Sequence, residues 1–456
     1  LLYNPEKDLV NNKIKKVISI FSLKNYLASY GAVKNDAMSA AIELWDRLYH
    51  QNSKLSLASS IASETARLAT LELRSEISGS CRADFLNRFY KDALKKMRTA
   101  TEIACAKGGI VLKPYVQDGK ILISFIDAEN FVPINFDESG RITDAVFLDR
   151  YQSGKKVYTR IERHSFEGKN YIIRNCAFVS EQGGDLGKSI ALADTDFWKD
   201  IEPYVCCEGV ENPLFAYIKM PMANCVDIHS PLGVSVYARV VPLIEDAEKQ
   251  YERLIWEFES GERALYIDES AVRRDKNGEK SLPDKRLYRM LNSGDDTLFK
   301  DWTPELRASQ IKEGLNEILR RIEFGTGLAY GTLSDVENVD RTAEEFRASK
   351  QRSYTHICDI QSAIKNGLTD LVYAMDILAD LYSLSPSGNF GVSFEFDDSI
   401  VADRKVEFDE KLRLLEKGII SPWEIRAWYF GEEEQTAKKK LIRLQRKEEQ
   451  NEKEGY

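Results

Sequence analysis

Gly325-Thr326-Gly327-Leu328-Ala329-Tyr330-Gly331-Thr332-Leu333, followed by Asp340-Arg341-Thr342-Ala343-Glu344-Glu345, is the stretch whose reading decides the fold. Gly325, Gly327 and Gly331 make its first part a loop, because glycine adopts backbone conformations that other residues resist. Thr342 with Glu345 three residues on is a capping box: the threonine side chain accepts from a first-turn amide, and the glutamate reaches back to the threonine's own N–H. One helix therefore ends near Gly325, a loop runs over 326–341, and a new helix opens at Thr342.

Downstream, Phe346, Tyr354, Ile357, Ile360, Ile364, Leu368, Leu371 and Met375 continue an apolar stripe to Leu381. Uninterrupted, that is a helix of roughly 40 residues, on the order of 60 Å long, stopped by Pro386-Ser387-Gly388. Upstream, Ile311, Leu315, Ile318, Leu319 and Ile322 mark the helix that leads into the glycines. Thr303-Pro304-Glu305 reads as its start, with threonine as cap and proline in the first position. Before it, Val236, Val240, Val241, Ile244, Ala247, Tyr251, Leu254, Ile255 and Phe258 recur at helical spacing until Gly261; Pro242 either kinks that helix or starts it. Between these two helices, Arg263 to Trp302 holds Ala264–Ile267, a turn at Lys276-Asn277-Gly278 and Thr297–Phe299, a small β excursion.

The first third reads as helices over Ala37–Tyr49, Leu55–Ile77 and Phe85–Ala106, the last ended by Gly108-Gly109. From Ile110 to about Ser180 the period changes to short β-rich runs separated by Asp118-Gly119, Ser139-Gly140, Ser153-Gly154 and Glu167-Gly168. Turn pairs at that spacing predict an antiparallel hairpin meander packed on the N-terminal helices, an α+β arrangement. The region 181–231 is irregular, and the tail from Lys405 holds two or three short helices.

The 456 residues carry a formal charge of −9, with 43% apolar and 30% charged residues. That composition describes a folded chain and argues against wrapping duplex DNA by phosphate neutralisation. Seven scattered cysteines fit reduced thiols better than a disulfide framework. No run of residues reaches the ~18 consecutive apolar positions of a membrane span.

Enzyme chemistry finds little support. Gly183-Gly184-Asp185-Leu186-Gly187-Lys188-Ser189 approaches a phosphate-binding loop, but Gln182 stands where the motif needs glycine and no good helix start follows. An ATP-using packaging factor built on this degenerate loop is the alternative function; a surface loop is the plainer reading. Cys206-Cys207 with Cys225 and His229 is the one local metal-ligand cluster, awkwardly spaced for zinc. No Gly-x-Ser-x-Gly elbow occurs. Leu412–Phe430 has helix-turn-helix form, but its second helix is poor in base-reading side chains, so a packed hairpin is expected. No catalytic residue, metal or cofactor is predicted.

The layout resembles the portal proteins of tailed double-stranded DNA phages, in the group typical of phages and prophages of Gram-positive bacteria. The resemblance rests on Gly327–Leu333 with Asp340–Glu345, on Gly418-Ile419-Ile420-Ser421-Pro422 through Arg426 with Phe430-Gly431, and on Ser230-Pro231-Leu232-Gly233-Val234-Ser235 before a helix with Trp256 and Gly261. Glu344 departs from the family's Thr-Ala-Thr-Glu pattern without harming the capping box. These segments and what they bracket cover about half the chain.

The resemblance implies an α+β portal fold: a wing over 1–230, stem helices over 231–262 and 303–325, and a clip over 263–302. A tunnel loop over 326–341, a long wing or tunnel helix with its following strand over 342–399, and a helical crown over 400–456 complete it. It implies a ring of twelve copies at one capsid vertex of the virion, assembled in the bacterial cytoplasm. That ring would pass double-stranded DNA without sequence specificity during packaging and ejection. Implied partners are the terminase large subunit, scaffold and major capsid proteins, and a head-completion adaptor, with no membrane. The tunnel-loop residues would be Gly325, Gly327 and Gly331 as hinges and Asp335, Glu337 and Asp340 as an acidic lining, with Thr342 and Glu345 starting the helix. Another head-tail ring or adaptor protein is the remaining alternative.

Overall fold

The computed structural model describes residues 36–71, 73–181, 186–262, 264–268, 288–291, 299–302, 304–335, 343–396, 404–430, 432 and 434–443. Four helices open the described chain: α1 (Asp36–His50), α2 (Leu57–Ala69), α3 (Cys81–Leu94) and α4 (Met97–Lys107). The helix expected over Leu55–Ile77 stops at Ala69, and Arg74–Ser78 is instead a strand, β1. It pairs antiparallel with a strand more than 300 residues away, placing Ile77 opposite Val392. Ser75 adds a side-chain bond to the Ser393 carbonyl at 2.7 Å. A partner so distant in sequence leaves no local periodicity to read. The segment 85–106 likewise divides into α3 and α4, with the break at Lys95-Lys96.

The expected hairpins form, but they split between two sheets at a 3-10 turn over Ala128–Asn130. β2 (Gly109–Gln117) and β3 (Lys120–Asp127) join β10 (Ala216–Lys219) in a three-stranded antiparallel sheet. β4 (Phe131–Phe136), β5 (Ile142–Ser153), β6 (Lys156–Glu167), β7 (Asn170–Ser180) and β8 (Lys188–Ile190) form the meander proper, and β9 (Tyr204–Glu208) pairs with β7. The first sheet packs against α3 and α4. β2 is apolar on both faces, with Ile110, Val111 and Leu112 all buried, as expected of a strand covered on both sides.

Two helices then form an antiparallel pair, α5 (Val241–Ser260) and α6 (Ala308–Thr326). Pro242 falls in the first turn of α5, so it starts the helix and does not kink it. Within the expected 231–262 span, residues before Val241 are helical only in the 3-10 turn Ala238–Val240. α6 also starts later than expected. Thr303 lies outside the described residues, and Pro304–Arg307 are not helical. The carboxylate of Glu257, buried on α5, accepts the Arg307 backbone N–H at 2.9 Å and its guanidinium at 3.0 Å. A tertiary acceptor thus serves the α6 start where a local cap was expected.

The excursion between them is a three-stranded sheet of β11 (Ala264–Asp268), β12 (Tyr288–Leu291) and β13 (Phe299–Trp302). β11 is central, parallel to β12 and antiparallel to β13. The turn at 276–278 lies outside the described residues.

The long helix is present as α7 (Ala343–Leu381), 39 residues. It is followed by β14 (Gly391–Glu395), then α8 (Arg404–Glu416), α9 (Pro422–Phe430) and a helical run over 434–443. Ile357, Ile360, Ile364, Leu368 and Leu371 are buried in the same core as Ile61, Leu86, Val111 and Ile218. Gly367 lets α7 cross β10 closely, since a Cβ there would overlap Ile218. Arg82, 1% exposed, fastens α3 to the far end of α7. It donates to Asp376 at 2.7 Å, to Asp380 at 2.5 Å and to the Ser385 carbonyl at 2.8 Å.

Candidate functional site

The residues singled out around the glycine loop converge where α6 ends, the chain turns, and α7 passes alongside. Gly325 is not a hinge. It sits in the last turn of α6, where a Cβ would overlap the Val240 side chain at the foot of α5. Its role is close helix packing. Gly327 ends the helix at φ 76°, and a Cβ there would fall 2.8 Å from the His356 ring of α7. Both its conformation and its neighbour require glycine. Gly331 has φ 87°, so it too needs glycine.

The described part of the loop is tied down by side chains from both helices. Glu323 is fully buried in the last turn of α6. Its carboxylate accepts the backbone N–H groups of Leu333 at 2.6 Å and Ser334 at 2.9 Å, and the Ser334 hydroxyl at 2.8 Å. Ser349 of α7 accepts the Tyr330 N–H at 2.8 Å. Asp335 is exposed, and its backbone N–H donates to Asn316 at 2.7 Å. The Asp335 carboxylate is therefore presented to solvent from a fixed backbone. Glu337, Asp340 and Thr342 lie outside the described residues, and Glu345 is in the first turn of α7.

Arg352 and His356, one turn apart on α7, pack against this junction. The Arg352 guanidinium lies over the rings of Phe324 at 4.4 Å and Tyr330 at 5.3 Å, a stacked cation–π arrangement. Burial pushes the His356 imidazole below its ordinary pKa, against the pull of Asp359. Glu323, Ser349, Arg352 and His356 were not picked out from the sequence. Glu323 left one trace: it is a carboxylate one residue past Ile322 on the apolar side of an amphipathic helix.

The nucleotide-binding alternative meets a strand where it needs a helix. Lys188–Ile190 is β8, paired to β7, and the next element is a 3-10 turn over Leu192–Asp194. Gly187 packs so closely on the Val179 carbonyl that a Cβ would overlap it. Residues 182–185 lie outside the described residues. No helix N-terminus follows to hold a phosphate. Among the described residues no group of metal-ligating side chains is gathered, and Cys207 is buried while Cys225 is exposed. The α8–α9 pair is a packed hairpin, with Phe408 and Tyr429 rings 5.4 Å apart and Lys411 over Trp428.

A second buried cluster joins the two sheets. Lys113 of β2 donates to Glu162 of β6 at 2.5 Å, and Arg160 reaches the same oxygen at 2.9 Å. Glu162 also meets His164 Nε2 at 2.7 Å, and His164 Nδ1 meets the Tyr171 hydroxyl at 2.7 Å. Tyr171 accepts the Leu214 N–H at 3.0 Å. It is thus assigned as donor to Nδ1, which puts the imidazole proton on Nε2, facing the carboxylate. Burial alone would raise the Glu162 carboxyl, but Lys113, His164 and Arg160 outweigh it and hold it well below the usual range. Burial keeps His164 below its ordinary value. With both ring nitrogens engaged and no nucleophile in the network, this is a bolt between sheets.

The described residues combine an α+β organisation, a helical hairpin opening onto a small sheet, and a loop leading into one long helix, and no catalytic constellation is gathered among them. The chain belongs to the phage portal protein family. The family described as "Phage portal protein, SPP1 Gp6-like" matches residues 6–452, nearly the whole chain. Members are structural components of the phage particle, not enzymes. No curated protein matches. Among solved structures, one titled "Neck of native GTA particle computed with C12 symmetry" aligns over 89% of this chain and 97% of its own. Its identity to this chain is 11% and the TM-score 0.37. No described helix is long and apolar enough to cross a membrane.

Proposed function

We propose that the chain is the ring-forming portal subunit of a tailed phage, twelve copies enclosing a channel at one capsid vertex through which duplex DNA enters and leaves. The observation that carries this reading is family membership over residues 6–452. The α5–α6 hairpin then corresponds to the stem, the β11–β13 sheet to the clip, and residues before about 230 to the wing. Residues 326–341 become the tunnel loop, α7 the long wing helix, and residues from about 400 the crown. On this reading the clip docks the terminase large subunit and later a head-completion adaptor, and scaffold and major capsid proteins surround the wing.

The physical fit is electrostatic. Each copy adds a formal charge of −9, and an acidic channel repels phosphate so that DNA slides without adhering. Asp335, exposed on a backbone held by Asn316, is suited to that lining, with Glu337 and Asp340 beyond it in sequence. Negative-stain microscopy of the purified full chain tests the reading. Rings with a central hole wide enough for duplex DNA are expected; a persistent compact monomer at all concentrations would refute it. Charge reversal at Asp335, Glu337 and Asp340 is expected to impair DNA packaging while leaving rings intact.

A further inference from the structure

Buried polar nitrogens with no partner among the described residues gather at the α6–α7 junction. Arg352 leaves both Nε and Nη2 unpaired, Arg320 leaves Nη2 unpaired, and His356 leaves Nε2 unpaired. Buried donors are nearly always satisfied in a finished structure, so each such group calls for a partner. For Arg352 the pattern is specific. Nε and Nη2 form the side-on fork that binds a carboxylate through two parallel bonds. This chain uses that fork repeatedly: Arg67 on Glu64, Arg163 on Asp144, Arg307 on Glu257 and Arg426 on Glu432. At Arg352 the same fork is formed and shielded, with no carboxylate among the described residues to meet it.

Beside it stands Phe324, a large apolar side chain left 61% exposed. Arg320 lies one turn before it on the same face of α6. The junction is thus a basic and aromatic surface lacking its complement. The complement is present on another face of the same chain. Along α5, Glu245, Lys249, Glu252, Trp256 and Glu259 fall on one narrow helical stripe, and all five are exposed. Trp256 is itself 61% exposed.

The hairpin register relates the two faces. Gly325 lies against Val240, Gln250 reaches the Ile311 carbonyl, and Glu257 meets Arg307. Glu245 is therefore level with Arg320 along the hairpin, and Glu252 lies two turns further on. Two different, complementary faces on one subunit are what a head-to-tail contact requires, and such contacts close into rings.

We propose that the α6–α7 junction of one copy receives the acidic stripe of α5 from the next copy, with Glu245, level with Arg320 and the carboxylate of that stripe nearest the junction, supplying the acceptor that Arg320 and Arg352 lack. Phe324 turns outward into the contact as the fork is uncovered. The proposal rests on the ring reading above and adds to it the pair of faces that meet.

The test uses the full-length protein. Arg320→Glu/Arg352→Glu, Arg352→Met, Glu245→Arg/Glu252→Arg and the four-fold charge swap are compared with wild type by native mass spectrometry and sedimentation across a concentration series. Circular dichroism and thermal melting check that each monomer is folded, and Arg352→Met keeps the packing under Phe324 if the glutamate variant does not fold. The basic-side and acidic-side variants are each expected to need about tenfold or more protein to assemble, and the four-fold swap to recover assembly. Unchanged assembly in the folded single-face variants would overturn the proposal, as would loss that the swap does not repair. Intact rings with reduced DNA retention would overturn it in favour of phosphate as the acceptor. If wild type itself never assembles, the ring reading fails instead, so the two failures are distinguishable.

Discussion

Replacing Glu323 by alanine tests whether the glycine loop is held from inside the helix hairpin. In the folded chain one carboxylate, buried in the last turn of α6, satisfies the N–H groups of Leu333 and Ser334 and the Ser334 hydroxyl. Bonds to a charged acceptor contribute about 1.5–3 kcal/mol each, and an orphaned buried donor costs about 1–3 kcal/mol. The gains are not additive, and the opened loop regains water for its amides. A net loss of about 3 kcal/mol of local stability is therefore expected, roughly two orders of magnitude in the opening equilibrium. Glu323→Gln keeps one carbonyl acceptor and should lose about half as much. Hydrogen exchange read at Leu333 and Ser334 is the assay, with the buried strand β2 as internal reference. If both amides exchange in Glu323→Ala as slowly as in wild type, the carboxylate does not hold the loop and the reasoning is wrong.

Three other outcomes follow from the same geometry. Gly325→Ala should destabilise by about 1–3 kcal/mol through overlap with Val240, and adding Val240→Ala should restore part of it in denaturant melts. Arg82→Met should cost about 3 kcal/mol by stripping Asp376, Asp380 and the Ser385 carbonyl of their shared donor; an unchanged melt would show that α7 is held by apolar packing alone. His164 is kept neutral by burial, so its folded pKa lies below the unfolded value of about 6.5. Below that pH the unfolded chain gains a proton that the folded chain does not, and stability falls by up to about 1.4 kcal/mol per pH unit until the folded pKa is reached. Urea unfolding between pH 7.5 and 5.5 should show a smaller loss in His164→Gln than in wild type; parallel losses would remove His164 from the acid response.

By itself the sequence determined the elements whose signal is local. The long helix, the two helices of the α5–α6 hairpin, the turn glycines of the hairpins and the helix end at Gly327 all follow from side-chain period and from glycine's backbone freedom, which neighbours in sequence express. It also determined the family, through short motifs around Gly327–Glu345. Only the tertiary structure decided what depends on partners far along the chain. β1 is a strand because Gly391–Glu395 lies beside it. α6 starts at Ala308 because Glu257 waits on the preceding helix. Gly325 is a packing contact because Val240 occupies the space a side chain would need. The glycine loop, whose glycines predict hinges, is anchored by Glu323 and Ser349, and beside it stands an arginine with no acceptor among the described residues. Periodicity reports which face of an element is apolar; it cannot report which distant group that face will meet.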